Sequence, residues 1–380
     1  MAREFLRSGL APRTGFQHVV RPLLLLAVLL VLAALAGGFA LLGVWPAPAA
    51  VAPAALAHGA LMIGGLFGAV IGIERAVALR ERWAFVAPAA FVAGGVVVVL
   101  GMPRLGALYM TTGALVFIAV NVALLRRQFA AHTVLLVAAA AALLAGFAAR
   151  WLGGAHQATL ALWFSFLLLT IAAERLEMAR LMVRRPESDE ALFAICTLML
   201  LGALGAWRWP AAGAALFGAA VAALALWLLC FDIARKTVRG AGLSRYMAAC
   251  LLTGYGWLLL GGLAWVAQGL GWGAWRDTAL HAIALGFVVA MVMAHAPVIL
   301  PAIAGLKLAY HPGMYAPLGM LQASLLLRAA GDVLQVPALK TVGAGFNLLT
   351  VLAFAASLAV GAGLWKRASH RVAAAVPRTA

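Results

Sequence analysis

Uninterrupted apolar stretches of roughly twenty residues recur along the whole chain, separated by short segments that hold glycine, proline or charge. A helix of that length crosses the hydrocarbon core of a bilayer, whereas a transmembrane β-barrel would show alternating strands of about ten residues. Cutting at the turn signals and charges predicts about twelve spans, roughly 22–44, 54–76, 84–102, 105–125, 132–150, 155–180, 190–207, 210–231, 246–268, 278–304, 314–335 and 339–364. The expected fold class is therefore all-α: a polytopic membrane protein with about twelve transmembrane helices. Residues 1–380 form a single integral membrane domain, with a basic arm at 1–21 and a basic tail at 365–380. The first apolar run is too long for a cleaved signal, and Trp45-Pro46-Ala-Pro48 after it is no small-residue cleavage site, so it is expected to stay as a helix.

Composition agrees with the pattern. The chain is 66% apolar and 10% charged, against about 45–50% and about 25% in soluble domains, and its mean hydropathy is +1.05. No soluble domain is left to supply an ATPase, kinase or DNA-binding activity. The net charge of +17 could suggest a nucleic-acid partner, but the basic residues stand singly or in small groups between apolar runs, where they anchor helix ends. No nucleic-acid partner is read from them; the partner is the lipid bilayer. Numbering the spans in order, 22 of the 28 basic residues fall on one side and only Arg104, Arg150, Arg208, Arg276, Arg328 and Lys340 on the other. Positive residues concentrate on the cytoplasmic side, so both termini are expected in the cytoplasm of a bacterial inner membrane. Trp45, Trp151, Trp207, Trp209, Trp272 and Trp275 then fall at the outer boundary, as interfacial tryptophans do. Cys196, Cys230 and Cys250 lie in or beside apolar segments with no paired spacing, so neither a disulfide framework nor a thiolate metal site is expected.

Histidine is costly in hydrocarbon unless it is paired, ligated or facing water. His58 opens helix 2, His156 opens helix 6 and His281 opens helix 10, so the three imidazoles are expected in one layer near the outer face. That spacing suggests three four-helix units, each with a histidine on its second helix. Imidazole is a natural ligand for haem iron, copper and zinc, and helix bundles hold such sites on inward-facing side chains. His58, His156 and His281 could make one metal site, or His58 and His281 could clamp a haem while His156 serves a second metal. His295 is a fourth candidate ligand, but it lies about 21 Å along the helix from His281 and cannot share its metal. With Met291 and Met293 it could make a soft copper(I) site; the alternative is a hydrogen bond to a carbonyl near Pro297 and Pro301. His18, His132, His311 and His370 are expected in solvated segments.

Gly64, Gly68 and Gly72 repeat at the spacing of closely packed helices, while Gly65, two turns below His58, could leave room for a flat macrocycle. Glu74-Arg75 and Glu174-Arg175 end helices 2 and 6, where interhelical salt bridges are expected over a proton relay. Arg276 and Arg328 lie at the outer side. Arg328 can pair with Asp332 one turn on, and either arginine could receive the propionates of a haem.

These motifs resemble the NnrS family of haem- and copper-containing bacterial membrane proteins associated with nitric oxide. Arg21-Pro22-Leu-Leu-Leu-Leu-Ala is similar to that family's opening of its first helix. His58-Gly-Ala60-Leu61-Met62-Ile-Gly-Gly65 resembles its second-helix pattern His-x-His-Glu-Met-x-x-Gly, with Ala60 and Leu61 in place of the second His and the Glu. Leu280-His281-Ala282 with Gly286 resembles its late Leu-His-Ala-x-x-x-Gly motif, but His295-Ala-Pro297 replaces the residues that follow it in the family. A more distant likeness is to the catalytic subunits of haem–copper oxidases and nitric oxide reductases, with ligands on helices 2, 6 and 10. The resemblance implies His58 and His281 as axial haem ligands, with copper as a further metal near His156. It implies a protein that binds, senses or turns over nitric oxide or a related diatomic gas, with an electron donor as a further partner. This chain lacks the histidine pairs of a full binuclear centre. The competing expectation is a multi-span transporter for a metal ion or small metabolite with a histidine-lined path.

Overall fold

The computed structural model describes residues 15–43, 51–153, 156–178 and 186–374. Trp45, most of the basic arm, Arg180, Arg184, Arg185 and Arg378 lie outside the described residues. Each predicted span is a helix: α1 Gln17–Leu41, α2 His58–Leu79, α3 Arg82–Val99, α4 Pro103–Arg127, α5 Ala131–Trp151 and α6 His156–Met178. They continue as α7 Pro186–Gly205, α8 Pro210–Phe231, α9 Gly242–Gly269, α10 Gly273–Ala304, α11 Tyr315–Val333 and α12 Pro337–Ala374. No strand occurs among the described residues. Proline opens α4 and α8, where its fixed φ suits a first turn and its missing N–H costs nothing.

Eleven of these helices are long and apolar enough to cross a membrane, and the chain is a multi-pass membrane protein. Helix α11 falls short of that apolarity because it carries Gln322, Arg328 and Asp332. Its buried residues include Ser324, Arg328 and Asp332, so its polar face turns inward against α10 and α12. Polar side chains within a membrane bundle take that direction because lipid offers them no partner.

Consecutive helices pack as neighbours from α3 through α6 and from α7 through α10, with α11 against α12. The second helix of each expected four-helix unit lies toward the middle, where α10 touches α2, α6, α9 and α11. Helix α6 is the hub: 83% of its most apolar stretch is buried, against 22% for α1 and 17% for α12. Phe164, Phe217 and Trp265 interlock edge to face where α6, α8 and α9 meet. Helices also meet backbone to backbone: a Cβ on Gly202 of α7 would stand 2.4 Å from the main-chain nitrogen of Phe217 on α8, and one on Gly262 of α9 would stand 2.5 Å from that of Ala222 on α8. Backbones that close gain dispersion contact, the main attraction between helices when the solvent is itself apolar.

Candidate functional site

His58, His156 and His281 line one cavity of about 360 Å³. Arg150, Arg328 and Asn347 are also in its wall, and the rest of the lining is mostly aliphatic and aromatic, including Phe39, Phe67 and Phe164. The helix that delivers each imidazole also fixes its direction. Nδ1 of His58 lies 2.7 Å from the main-chain oxygen of Ala34 on α1. A carbonyl can only accept, so Nδ1 carries the proton and donates it. A Cβ on Gly38 would come within 3.3 Å of this ring, so the absence of a side chain there makes room for the imidazole. Nδ1 of His281 lies 3.0 Å from the main-chain oxygen of Asp277, one turn back. The Asp277 carboxylate stands 3.3 Å from the same nitrogen. Both rings are thereby held in the tautomer that leaves the Nε2 lone pair free, and among the described residues no hydrogen-bond partner meets either Nε2.

Both helices depart from regular α geometry directly below their histidine. Residues Leu61–Gly68 of α2 and Ala282–Val289 of α10 are wound as π-helix, whereas α6 below His156 is regular. Wide turns of this kind cluster at functional sites. The winding also corrects one expectation. Gly65 does not stand under His58 facing the cavity; a Cβ on it would meet the Leu30 side chain of α1 at 3.1 Å. The wider turns of the π segment shift Gly65 from the face that α periodicity assigns it. Gly64, Gly68 and Gly72 abut Phe147 and Met110, Phe91, and Pro88 respectively, which is close helix packing.

The arginines are arranged differently from the expectation of an Arg328–Asp332 pair within one helix. Arg328 reaches across to α10 and grips Asp277 at two points, Nε to Oδ2 at 2.6 Å and Nη2 to Oδ1 at 2.9 Å. Asp332 instead accepts from the Thr278 main-chain N–H at 2.8 Å and its hydroxyl at 3.0 Å, and pairs with Lys340 at 2.6 Å. Both acids therefore serve to join α11 to the first turn of α10, where a two-point fork gains more than a contact along one helix. Asp277 had no place among the sequence candidates, although its four-residue offset from His281 is a signal that could have found it. Arg276 turns to a separate pocket of about 140 Å³ with His156, Gln157, Trp265 and Gln268.

His295 lies at the opposite end, and both of its ring nitrogens are engaged. Nδ1 donates to the Met291 carbonyl at 2.7 Å, and Nε2 accepts from Arg175 at 2.8 Å. No lone pair remains for a metal, so the carbonyl-bonded alternative describes it and the soft copper site with Met291 and Met293 does not form. Arg75 pairs with Glu174 at 2.9 Å, the expected interhelical bridge. Together these bonds tie α2 to α6 and α6 to α10. His132 and His311 also differ from their expected solvation: His132 is buried near Glu177, and His311 donates from Nε2 to the Ser357 carbonyl at 2.9 Å.

Among the described residues, no group of three or more histidine, cysteine, aspartate or glutamate side chains is placed to hold a metal ion. His58, His156 and His281 thus share a cavity without forming a three-ligand set. The donor set suits a group that needs one or two imidazoles and a broad apolar bed.

Fold and site define a multi-pass helical membrane protein with a histidine-lined cavity near one end of its bundle. The chain belongs to the family described as a domain of unknown function, DUF8744, whose profile matches residues 20–362. No curated protein and no solved structure matches it.

Proposed function

We propose that the protein binds haem in the large cavity and there binds, senses or turns over nitric oxide or a related diatomic gas, as its resemblance to the NnrS family implies. The observation that carries this reading is the pair His58 and His281. Each presents an unpartnered Nε2 at one apolar cavity while its Nδ1–H is held by a main-chain carbonyl, the arrangement by which proteins orient imidazole ligands. His58 and His281 would hold the haem, and the iron would take up a diatomic ligand only where one of these two imidazoles gives up its place. The chain's own part is to fix the two rings, to exclude water with aromatic and aliphatic walls, and to place His156 beside the group. Among the described residues, copper near His156 has no cluster of further histidine, cysteine or carboxylate ligands to support it.

For orientation, we propose that the histidine end faces outward from a bacterial inner membrane with both termini cytoplasmic. Trp151, Trp207, Trp209 and Trp272 are exposed around that end, consistent with an interfacial aromatic belt. A reporter fused after Arg276 should read outside and one at the C-terminus inside; a cytoplasmic signal after Arg276 overturns the orientation.

The test of function is the optical spectrum and metal content of the purified protein expressed with ample haem and copper. A haem spectrum that changes on adding nitric oxide to the reduced protein is expected, and His156→Ala should weaken that change while keeping most of the haem. A colourless, metal-free protein overturns the reading. One observation favours a second reading, transport of a metal ion or small metabolite: both helices that bring His58 and His281 to the cavity depart from regular α winding directly below the histidine, and transporters place substrate sites at irregular helix segments. In that case His156→Ala abolishes uptake of a solute instead.

A further inference from the structure

The histidine end carries more positive charge than it neutralises. Three arginines, Arg150, Arg276 and Arg328, line its two cavities, and no aspartate or glutamate lines either. Asp277 matches Arg328. Among the described residues no carboxylate stands within ion-pair distance of Arg150 or Arg276. A guanidinium with no carboxylate partner at the mouth of a cavity can take an anion from outside the chain.

The smaller cavity, about 140 Å³, is built for one. It lies between the ends of α6, α9 and α10, and beside Leu160 and Leu280 it is lined by five residues with polar tips, Arg276, Gln157, Gln268, His156 and Trp265. Every one of these groups can donate a hydrogen bond. The Trp265 Nε1–H is buried and has no partner. His156, Leu160 and Leu280 line both cavities, so the two share a wall. A carboxylate suits this set: it is flat, accepts at two oxygens and matches the guanidinium fork.

We infer that the small pocket is an anion subsite that takes a carboxylate on Arg276, assisted by Gln157 and Gln268, and that it selects an acidic ligand for the adjoining cavity. Arg328, already held at two points by Asp277, is not the recognising arginine. The identity of the ligand rests on the haem reading: the carboxylate belongs either to a tetrapyrrole lying in the large cavity or to a free small acid.

Metal-free porphyrins separate these, because without iron no axial bond contributes. Full-length protein in detergent is titrated with protoporphyrin IX and with its dimethyl ester by fluorescence, and with acetate by calorimetry. The wild type should bind the diacid at least about tenfold more tightly than the diester, a preference of about 1.4 kcal/mol. Arg276→Gln should bring the ratio close to one by weakening the diacid alone, and Arg276→Lys should retain part of the preference. Because Arg276 is exposed, the variant is expected to fold, and unchanged diester binding verifies that it has. Equal binding of diacid and diester by the wild type, or a preference that Arg276→Gln leaves intact, overturns the subsite while the haem reading stands. Acetate binding that is lost in Arg276→Gln, with neither porphyrin bound, keeps the subsite as a free-anion site and overturns the haem reading. If neither porphyrin nor acetate binds, both fall.

Discussion

Replacing His58 or His281 by alanine is expected, on the proposed haem reading, to cost the protein at least about a hundredfold in haem affinity. Losing a hydrogen-bond partner behind a ligating imidazole already costs about 10–100-fold, and here the imidazole itself is removed. Apart from His156 the cavity wall offers no further imidazole, and the side chains around it are mostly hydrocarbon. The two variants should not be alike in structure. His58 is tied to α1 through a single carbonyl, so its loss frees one acceptor that the helix can reuse. His281 neighbours the Asp277–Arg328 pair, so its loss leaves that carboxylate with one polar neighbour fewer. Added imidazole should restore part of the absorption in either variant by occupying the vacated space. His311→Ala, at the opposite end of α11, is the control and should leave the spectrum unchanged. Full haem content in both His58→Ala and His281→Ala would exclude these residues as ligands.

Much of the architecture was legible because membrane spans are written in run length alone. The span expected at 210–231 is the helix Pro210–Phe231, since a proline start and the end of the apolar run both mark its limits. The common depth of His58, His156 and His281 was likewise legible, because alternating helix direction converts a position in sequence into a depth. What hydropathy does not encode is rotation about a helix axis. The π turns after Leu61 and from Ala282 leave the apolar run unbroken, so nothing in the pattern showed that Gly65 had turned toward Leu30. Partner choice among charges was hidden for a related reason. Asp332 is the nearest acid to Arg328 along the chain, but the pair that forms joins residues 51 apart on different helices, and only packing decides which helices meet. The carbonyls that set the tautomers of His58 and His281 belong to an alanine and an aspartate backbone, which the side-chain sequence cannot mark.

Asp277→Ala is expected to have the second large effect, and on two measurements that can be separated. Removing one partner of a buried pair leaves the other charge uncompensated, at a cost of about 3–5 kcal/mol. Arg328 is buried and its two contacts to Asp277 are its only ion pair among the described residues, so the melting temperature of the purified protein should fall markedly. The same carboxylate stands beside Nδ1 of His281, so haem affinity should fall as well, by about 10–100-fold if it acts as an outer partner of a ligand. Asp277→Ala combined with Arg328→Met tells the two apart. Replacing both charges with apolar side chains removes the stranded guanidinium, and such exchanges are often neutral in stability, so the melting temperature should largely recover. Haem affinity should stay low, because the carboxylate that steadies His281 is still missing. Recovery of both together would mean that Asp277 acts only as a brace between α10 and α11, with the Asp277 carbonyl alone directing the imidazole.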